Sequence, residues 1–159
     1  MSKISPALLY GDRAEEALDY YCGIFPDAIV TDRSRYPDGK LLAATLEMGG
    51  QTWTLINGYE VPFHESVSFM VSCADQAEVD HYWDSLTAGD GRESQCGWLF
   101  DRFGMAWQIV PTRLPELMGD SDPVVAQAAM QAMMGMTKIV IADLESAVEA
   151  AVAASGAGS

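Results

Sequence analysis

Asp12-Arg-Ala-Glu15 and Asp75-Gln-Ala-Glu78 repeat one pattern, D-x-A-E, 63 residues apart, and each follows an apolar stretch, Ile4 to Tyr10 or Val67 to Cys73. An Asp at a helix N-cap accepts from free backbone N–H groups. A Glu three residues on complements the positive end of the helix macrodipole. Both sites therefore predict a strand running into a helix. The first helix extends to about Phe25, with Ala14, Ala17, Leu18 and Tyr21 on one face and Pro26-Asp27 ending it. The second carries Val79, Tyr82, Trp83 and Leu86 on one face and stops at Gly89-Asp90-Gly91.

A second echo sets Gly50-Gln-Thr-Trp53 against Gly104-Met-Ala-Trp107, 54 residues apart. Each begins an apolar strand after a glycine turn. Between the first helix and Asn57 lie three strand-like runs, Ile29 to Tyr36, Leu41 to Met48 and Gln51 to Ile56, separated by Pro37-Asp-Gly39 and Gly49-Gly50 as hairpin turns. After the second helix, Glu93 to Asp101 and Met105 to Val110 supply the equivalent strands. Each half reads β-α-β-β-β, and the pair predicts an α+β fold in which two modules enclose a concave surface. The modules span about 4–57 and 66–111, within one domain of residues 1–111. Beyond it, Asp122-Pro123 opens a helix that ends at Gly135, Asp143 is expected to cap another, and 112–152 forms a helical extension. The tail, 153–159, is expected to fray.

Composition excludes several classes of function. The 159 residues carry nine Lys and Arg against twenty-three Asp and Glu, a formal net charge of −14, which leaves no basic surface for nucleic acid or an anionic membrane. With 49% hydrophobic residues and fifteen aromatics, the chain is not a disordered polyanion. Cys22, Cys73 and Cys96 are odd in number and far apart, as expected of reduced thiols in a cytoplasmic protein. Ala7 to Tyr10 is too brief for a secretory apolar region of roughly 7–15 residues. No apolar run approaches the roughly 18–20 residues of a transmembrane helix.

Several strings, in order, resemble the PhnB-like proteins of the vicinal oxygen chelate (glyoxalase, bleomycin-resistance and extradiol dioxygenase) superfamily, also described as 3-demethylubiquinone 3-methyltransferase-like. They are Ala14-Glu-Glu-Ala-Leu-Asp-Tyr-Tyr21 with Phe25-Pro26, then Asn57-Gly58 and Glu65-Ser-Val-Ser-Phe69. Asp75-Gln-Ala-Glu-Val-Asp80 with Tyr82-Trp83, Cys96-Gly-Trp98, Asp101-Arg-Phe-Gly104 and Trp107-Gln-Ile-Val-Pro111 follow. The resemblance implies paired βαβββ modules around an open, barrel-like cleft, commonly in a homodimer. It does not fix an activity, because one fold hosts many functions.

In the superfamily's metal enzymes, the resemblance implies, His and Glu ligands come from the first and last strands of each module. Here those strands are Ile4–Tyr10, Gln51–Asn57, Val67–Cys73 and Met105–Val110, and none contains His, Asp or Glu. Gln108 stands where many relatives carry the last Glu ligand, with Thr54 as its counterpart in the first module. A neutral amide is a poor partner for a divalent cation. No metal and no cofactor are therefore expected, and Gln108 is read as bonding either a ligand or a neighbouring strand.

His64 and Glu65, just before a strand of the second module, have two readings: a general acid or base, or a solvated loop pair. The second is favoured, since no third group is visible to orient them. The aromatic side chains of Trp53, Trp98, Trp107, Phe63 and Phe103, with polar Asn57, Ser68 and Gln108, are either a pocket lining or ordinary sheet core. Asn57, Phe63, Ser68, Trp98, Trp107 and Gln108 are the expected ligand contacts. Cys96 reads as an inert thiol, and Met130, Met133, Met134 and Met136 as flexible packing or a dimer contact. No glycine loop joins a strand to a helix in the way a nucleotide-binding fold requires.

The reading that follows is a small-molecule-binding protein of this superfamily without its metal site, cytoplasmic and homodimeric. A metal-dependent lyase, transferase or dioxygenase, with ligands recruited from His64, Glu65 or a dimer partner, is the alternative. A methyltransferase is a further one.

Overall fold

The computed structural model describes residues 3–157. The chain folds as two compact units, Met1–Pro62 and Phe63–Ser159, the second of which includes the helical extension.

In the first unit, β1 (Ala7–Leu9) leads to α1 (Ala14–Ile24), then β2 (Ile29–Arg35), β3 (Leu41–Met48) and β4 (Gln51–Ile56). The sheet order is β1-β4-β3-β2, with β1 parallel to β4 and the other pairs antiparallel. Gly49 and Gly50 both have positive φ, +60° and +70°, which lets two residues join β3 to β4 with the twist of the strands. The apolar face of α1 buries Ala14, Ala17, Leu18, Tyr21 and Ile24, and the helix packs on β3 and β4 over Leu46, Trp53 and Leu55.

The second unit repeats the plan with β5 (Ser68–Cys73), α2 (Gln76–Thr87), β6 (Arg92–Glu93), β7 (Trp98–Phe100) and β8 (Ala106–Pro111). Its sheet order, β5-β8-β7-β6, is that of the first, again with a parallel pair at one edge. Val79, Trp83 and Leu86 of α2 are buried, and the helix packs on β5, β7 and β8. Asp75 and Glu78 form the expected reciprocal cap. Asp75 Oδ1 accepts from Glu78 N at 2.9 Å and Glu78 Oε2 accepts from Ala74 N at 2.7 Å.

Four expectations are corrected. The N-cap of α1 falls on Arg13, not Asp12, and makes no side-chain cap bond, because Asn57 supplies one from the far end of β4. The run Glu93 to Asp101 is not one strand. Cys96 at φ +59° and Gly97 at +81° turn the chain between β6 and β7, and thereby complete the second βαβββ module. The first strand is only Ala7–Leu9, since residues 3 and 4 lie in a bend and Ser5-Pro6 is irregular. In the extension, α3 (Arg113–Met118) precedes α4 (Pro123–Met134), and α5 (Ile141–Gly156) starts two residues before Asp143 and runs into the stretch expected to fray. The last two residues of that stretch lie outside the described residues.

Gln76 explains the start of α5. Its Oε1 accepts from Ile141 N at 2.9 Å, and its Nε2 donates to Asp80 Oδ1 and to Ile139 O. One α2 side chain thus caps a helix 65 residues away. Asp122 caps α4 as the sequence indicates, accepting from Val124 N at 2.9 Å. Leu114, Leu117, Ala129, Ile139, Leu144 and Val148 form the core of the extension. Among the described residues no helix is long and apolar enough to cross a membrane.

Candidate functional site

Helix α2 packs on one face of the second sheet, and on the opposite face Val110 packs against the core of the extension. Paired residues share a face and successive residues alternate. Trp107, Ile109, Leu99 and Cys73 lie under α2, all buried. Ser68, Met70, Trp98, Gln108 and Val110 belong to the opposite face, where Trp98 and Met70 flank Gln108 directly across the ladder. Trp98, Ser68 and Gln108 are half-buried and Met70 is exposed.

Gln108 Nε2 donates to Ser68 Oγ at 2.8 Å, so the amide bonds a neighbouring strand, one of its two expected roles. On this face an indole and a thioether stand on either side of an amide braced by a hydroxyl, and further along β7 the Arg92 guanidinium stacks on Phe100, 3.6 Å from the ring centre. Apolar walls with a few oriented polar groups are what a small apolar or aromatic ligand requires.

The other expected contacts separate from this surface. Trp107 is buried on the α2 side, 5.8 Å ring to ring from Phe69, and its Nε1 donates to Asp101 Oδ2 at 2.9 Å. Asn57 is committed to structure at both ends of its amide. Oδ1 accepts from Ala14 N at 2.8 Å, and Nδ2 donates to Leu41 O at 2.9 Å. Asn57→Ala should therefore cost about 2 kcal/mol, one helix cap and one further hydrogen bond, read as a lower urea midpoint. Asn57→Asp, which keeps the cap acceptor, should recover about half. A variant that folds as stably as the parent would contradict this assignment.

His64 and Glu65 are exposed, and His64 Nδ1 accepts from Ser66 N at 3.1 Å within its own turn. Phe63 is half-buried. Cys96 is half-buried at its strained turn, where its N–H donates to Met136 O at 2.8 Å. The Cys73 thiol is pushed up to about 12, first by burial and then by Glu78 and Asp75, which leaves it inert. The sequence alone does not group Met70 with Gln108, although it stands two residues from Ser68 on the same strand face.

A metal site does not fit. Strands β1, β4, β5 and β8 contain no His, Asp or Glu, and the Gln108 amide is engaged by Ser68. Among the described residues no three His, Cys, Asp or Glu side chains gather closely enough to hold an ion.

Residues 2–110 match the family described as 3-demethylubiquinone-9 3-methyltransferase. Among solved structures, the PhnB protein of Bacillus cereus is similar at 26% identity over 70% of this chain and 100% of that chain, with a TM-score of 0.64. Protein PA1353 from Pseudomonas aeruginosa is 17% identical over 70% of this chain and 98% of its own, TM-score 0.58. The fosfomycin resistance protein FosX from Listeria monocytogenes is 14% identical over 72% and 94%, TM-score 0.57. No curated protein matches the chain. The two mixed four-stranded sheets with their helices match the glyoxalase/bleomycin-resistance fold of these neighbours, and neither sheet closes into a barrel. The segment after residue 110 lies outside the family match.

Proposed function

This chain belongs to the 3-demethylubiquinone-9 3-methyltransferase family, the PhnB-like proteins of the vicinal oxygen chelate superfamily, and from that premise we propose that it binds a small apolar or aromatic molecule without a metal ion. One observation carries the reading. On the face of the second sheet away from α2, Trp98 and Met70 flank a Gln108 amide already braced by Ser68, so the site offers stacking area and neutral hydrogen bonding rather than ligands for a cation.

The test uses Nile red, an uncharged aromatic dye whose emission rises in apolar surroundings. Saturable binding is expected, weakened about tenfold in Trp98→Ala and several-fold in Gln108→Ala, with the fold unchanged. Binding that is absent, or indifferent to Trp98, would refute the proposal. Protein purified without chelators should carry well under one equivalent of divalent metal. About one equivalent, removed by His64→Ala, would instead favour the metal-dependent enzyme. Saturable binding of S-adenosylmethionine would favour the methyltransferase of the family's description.

A further inference from the structure

In the strands of the second sheet only Arg92 and Glu93 are charged, both on β6, and as neighbours they face opposite ways. Glu93 pairs with Leu99 on the α2 side and accepts from Trp83 Nε1 at 2.9 Å. Arg92 pairs with Phe100, two residues from Trp98 on the same face of β7. It is therefore the only charged strand residue on the face that carries Trp98, Met70 and Gln108. Its guanidinium stacks on Phe100, 3.6 Å from the ring centre. No carboxylate among the described residues pairs with it, although the chain has twenty-three Asp and Glu against nine Lys and Arg.

We propose that the molecule bound at this surface is an aromatic carboxylate, with its ring against Trp98 and its carboxylate on Arg92, an inference that rests on reading the surface as a ligand site. Stacking decides the chemistry of the charged end. A ring occupies the flat face of a guanidinium and leaves its N–H edge free, and that edge matches the two oxygens of a carboxylate. Phe100 also restrains the Arg92 side chain, so less freedom is lost when the anion arrives. Register sets the reach. Arg92 is one strand across and two residues along from Trp98, about 8 Å from it on strand spacings of about 4.8 and 6.8 Å. A fused ring with a carboxylate attached directly, or through one carbon, spans that separation within reach of the arginine side chain. The other end of the face is apolar, since Val110, two residues beyond Gln108, packs with Met136 against the core of the extension. A surface with one cationic end and one apolar end has the polarity of an organic acid, not of a neutral arene. A single negative charge also suits it better than a phosphate dianion, which the protein's net charge of −14 repels more strongly.

Isothermal titration calorimetry of the full chain with naphthoate and with naphthamide, its uncharged counterpart, tests the assignment at about pH 7.5, where the acid is ionised. Naphthoate should bind at least about tenfold more tightly than naphthamide, and the advantage should shrink as salt rises from about 0.05 to about 0.5 M. Arg92→Gln should weaken naphthoate at least about tenfold and bring the two ligands within about twofold of each other. Arg92→Lys keeps the charge and loses the planar fork, so it should retain only part of the preference, and it carries the test should the first variant misfold. Naphthoate that binds no more tightly than naphthamide, or a preference unchanged in both variants, overturns the carboxylate assignment while Trp98-dependent binding of Nile red leaves the site itself standing. Failure of Nile red, naphthoate and naphthamide together overturns the site and the assignment with it.

Discussion

Asp101→Asn should lower the stability of the second unit by about 2–4 kcal/mol although it changes neither shape nor size. Asp101 is 2% exposed, the one charged side chain buried among the described residues. Its Oδ1 accepts from Phe103 N at 2.9 Å and from Met105 N at 3.1 Å, while Oδ2 accepts from Trp107 Nε1 at 2.9 Å. Its backbone closes the same turn, with Asp101 N donating to Met105 O and Gly104 N to Asp101 O. Only a carboxylate offers acceptors in both directions. An Asn that keeps its oxygen toward the turn sets its NH2 against the Trp107 indole N–H, and the flipped amide sets it against two backbone donors. Either way a buried donor loses its partner.

Trp107→Phe separates this account from a general intolerance of the turn. With the indole N–H removed, one of the three donors that the carboxylate serves is gone, so Asp101→Asn should cost at least about 1 kcal/mol less in the Trp107→Phe background than alone. Urea unfolding of the four proteins of the cycle, followed by circular dichroism, supplies the comparison. Strict additivity would mean that the indole bond is not what Asp101 is there to hold.

Trp107 also shows why the fold is more legible in the sequence than the site. Aromatic side chains near a glycine turn read equally well as pocket or core, and on that basis Trp107 groups with Gln108. The rule that decides between them needs only the sequence: neighbours on a strand face opposite ways, so Trp107 and Gln108 cannot line one surface. Trp98 belongs with Gln108 only through the β7–β8 register, which no local pattern reveals. The two D-x-A-E sites make the same point about caps. At Asp75 the local reading is complete, whereas at Asp12 the cap comes from Asn57, 43 residues from the N–H it serves. Periodicity and turn chemistry are local and readable. Face assignment across strands, and side chains borrowed from distant elements, depend on tertiary contacts.

Gly97→Ala should be the most damaging small substitution in the extension's seat, at about 3–5 kcal/mol, and two effects contribute. Gly97 has φ +81°, a conformation that costs an L residue about 1–2 kcal/mol. The added Cβ would also stand 2.9 Å from Ile109 O and 3.1 Å from Ile139 Cγ1. Neither neighbour moves freely. Ile109 belongs to the central strand pairing, where its N–H donates to Gly97 O at 2.8 Å, and Ile139 is fully buried in the extension's core. Gly97 N in turn donates to Thr137 O at 2.8 Å, so a displacement that relieves the clash breaks the bonds joining the turn to β8 and to the segment leading into α5. Gly104 supplies the control. It has nearly the same φ, +84°, and nothing lies within 4 Å of where an alanine methyl would stand, so Gly104→Ala carries the backbone cost alone, about 1–2 kcal/mol. For a chain of this size each kcal/mol lowers Tm by about 2–4 °C, so the two variants should separate by several degrees. Equal losses would show that the Ile139 contact yields without strain, and that the extension is not held against the second sheet through Gly97.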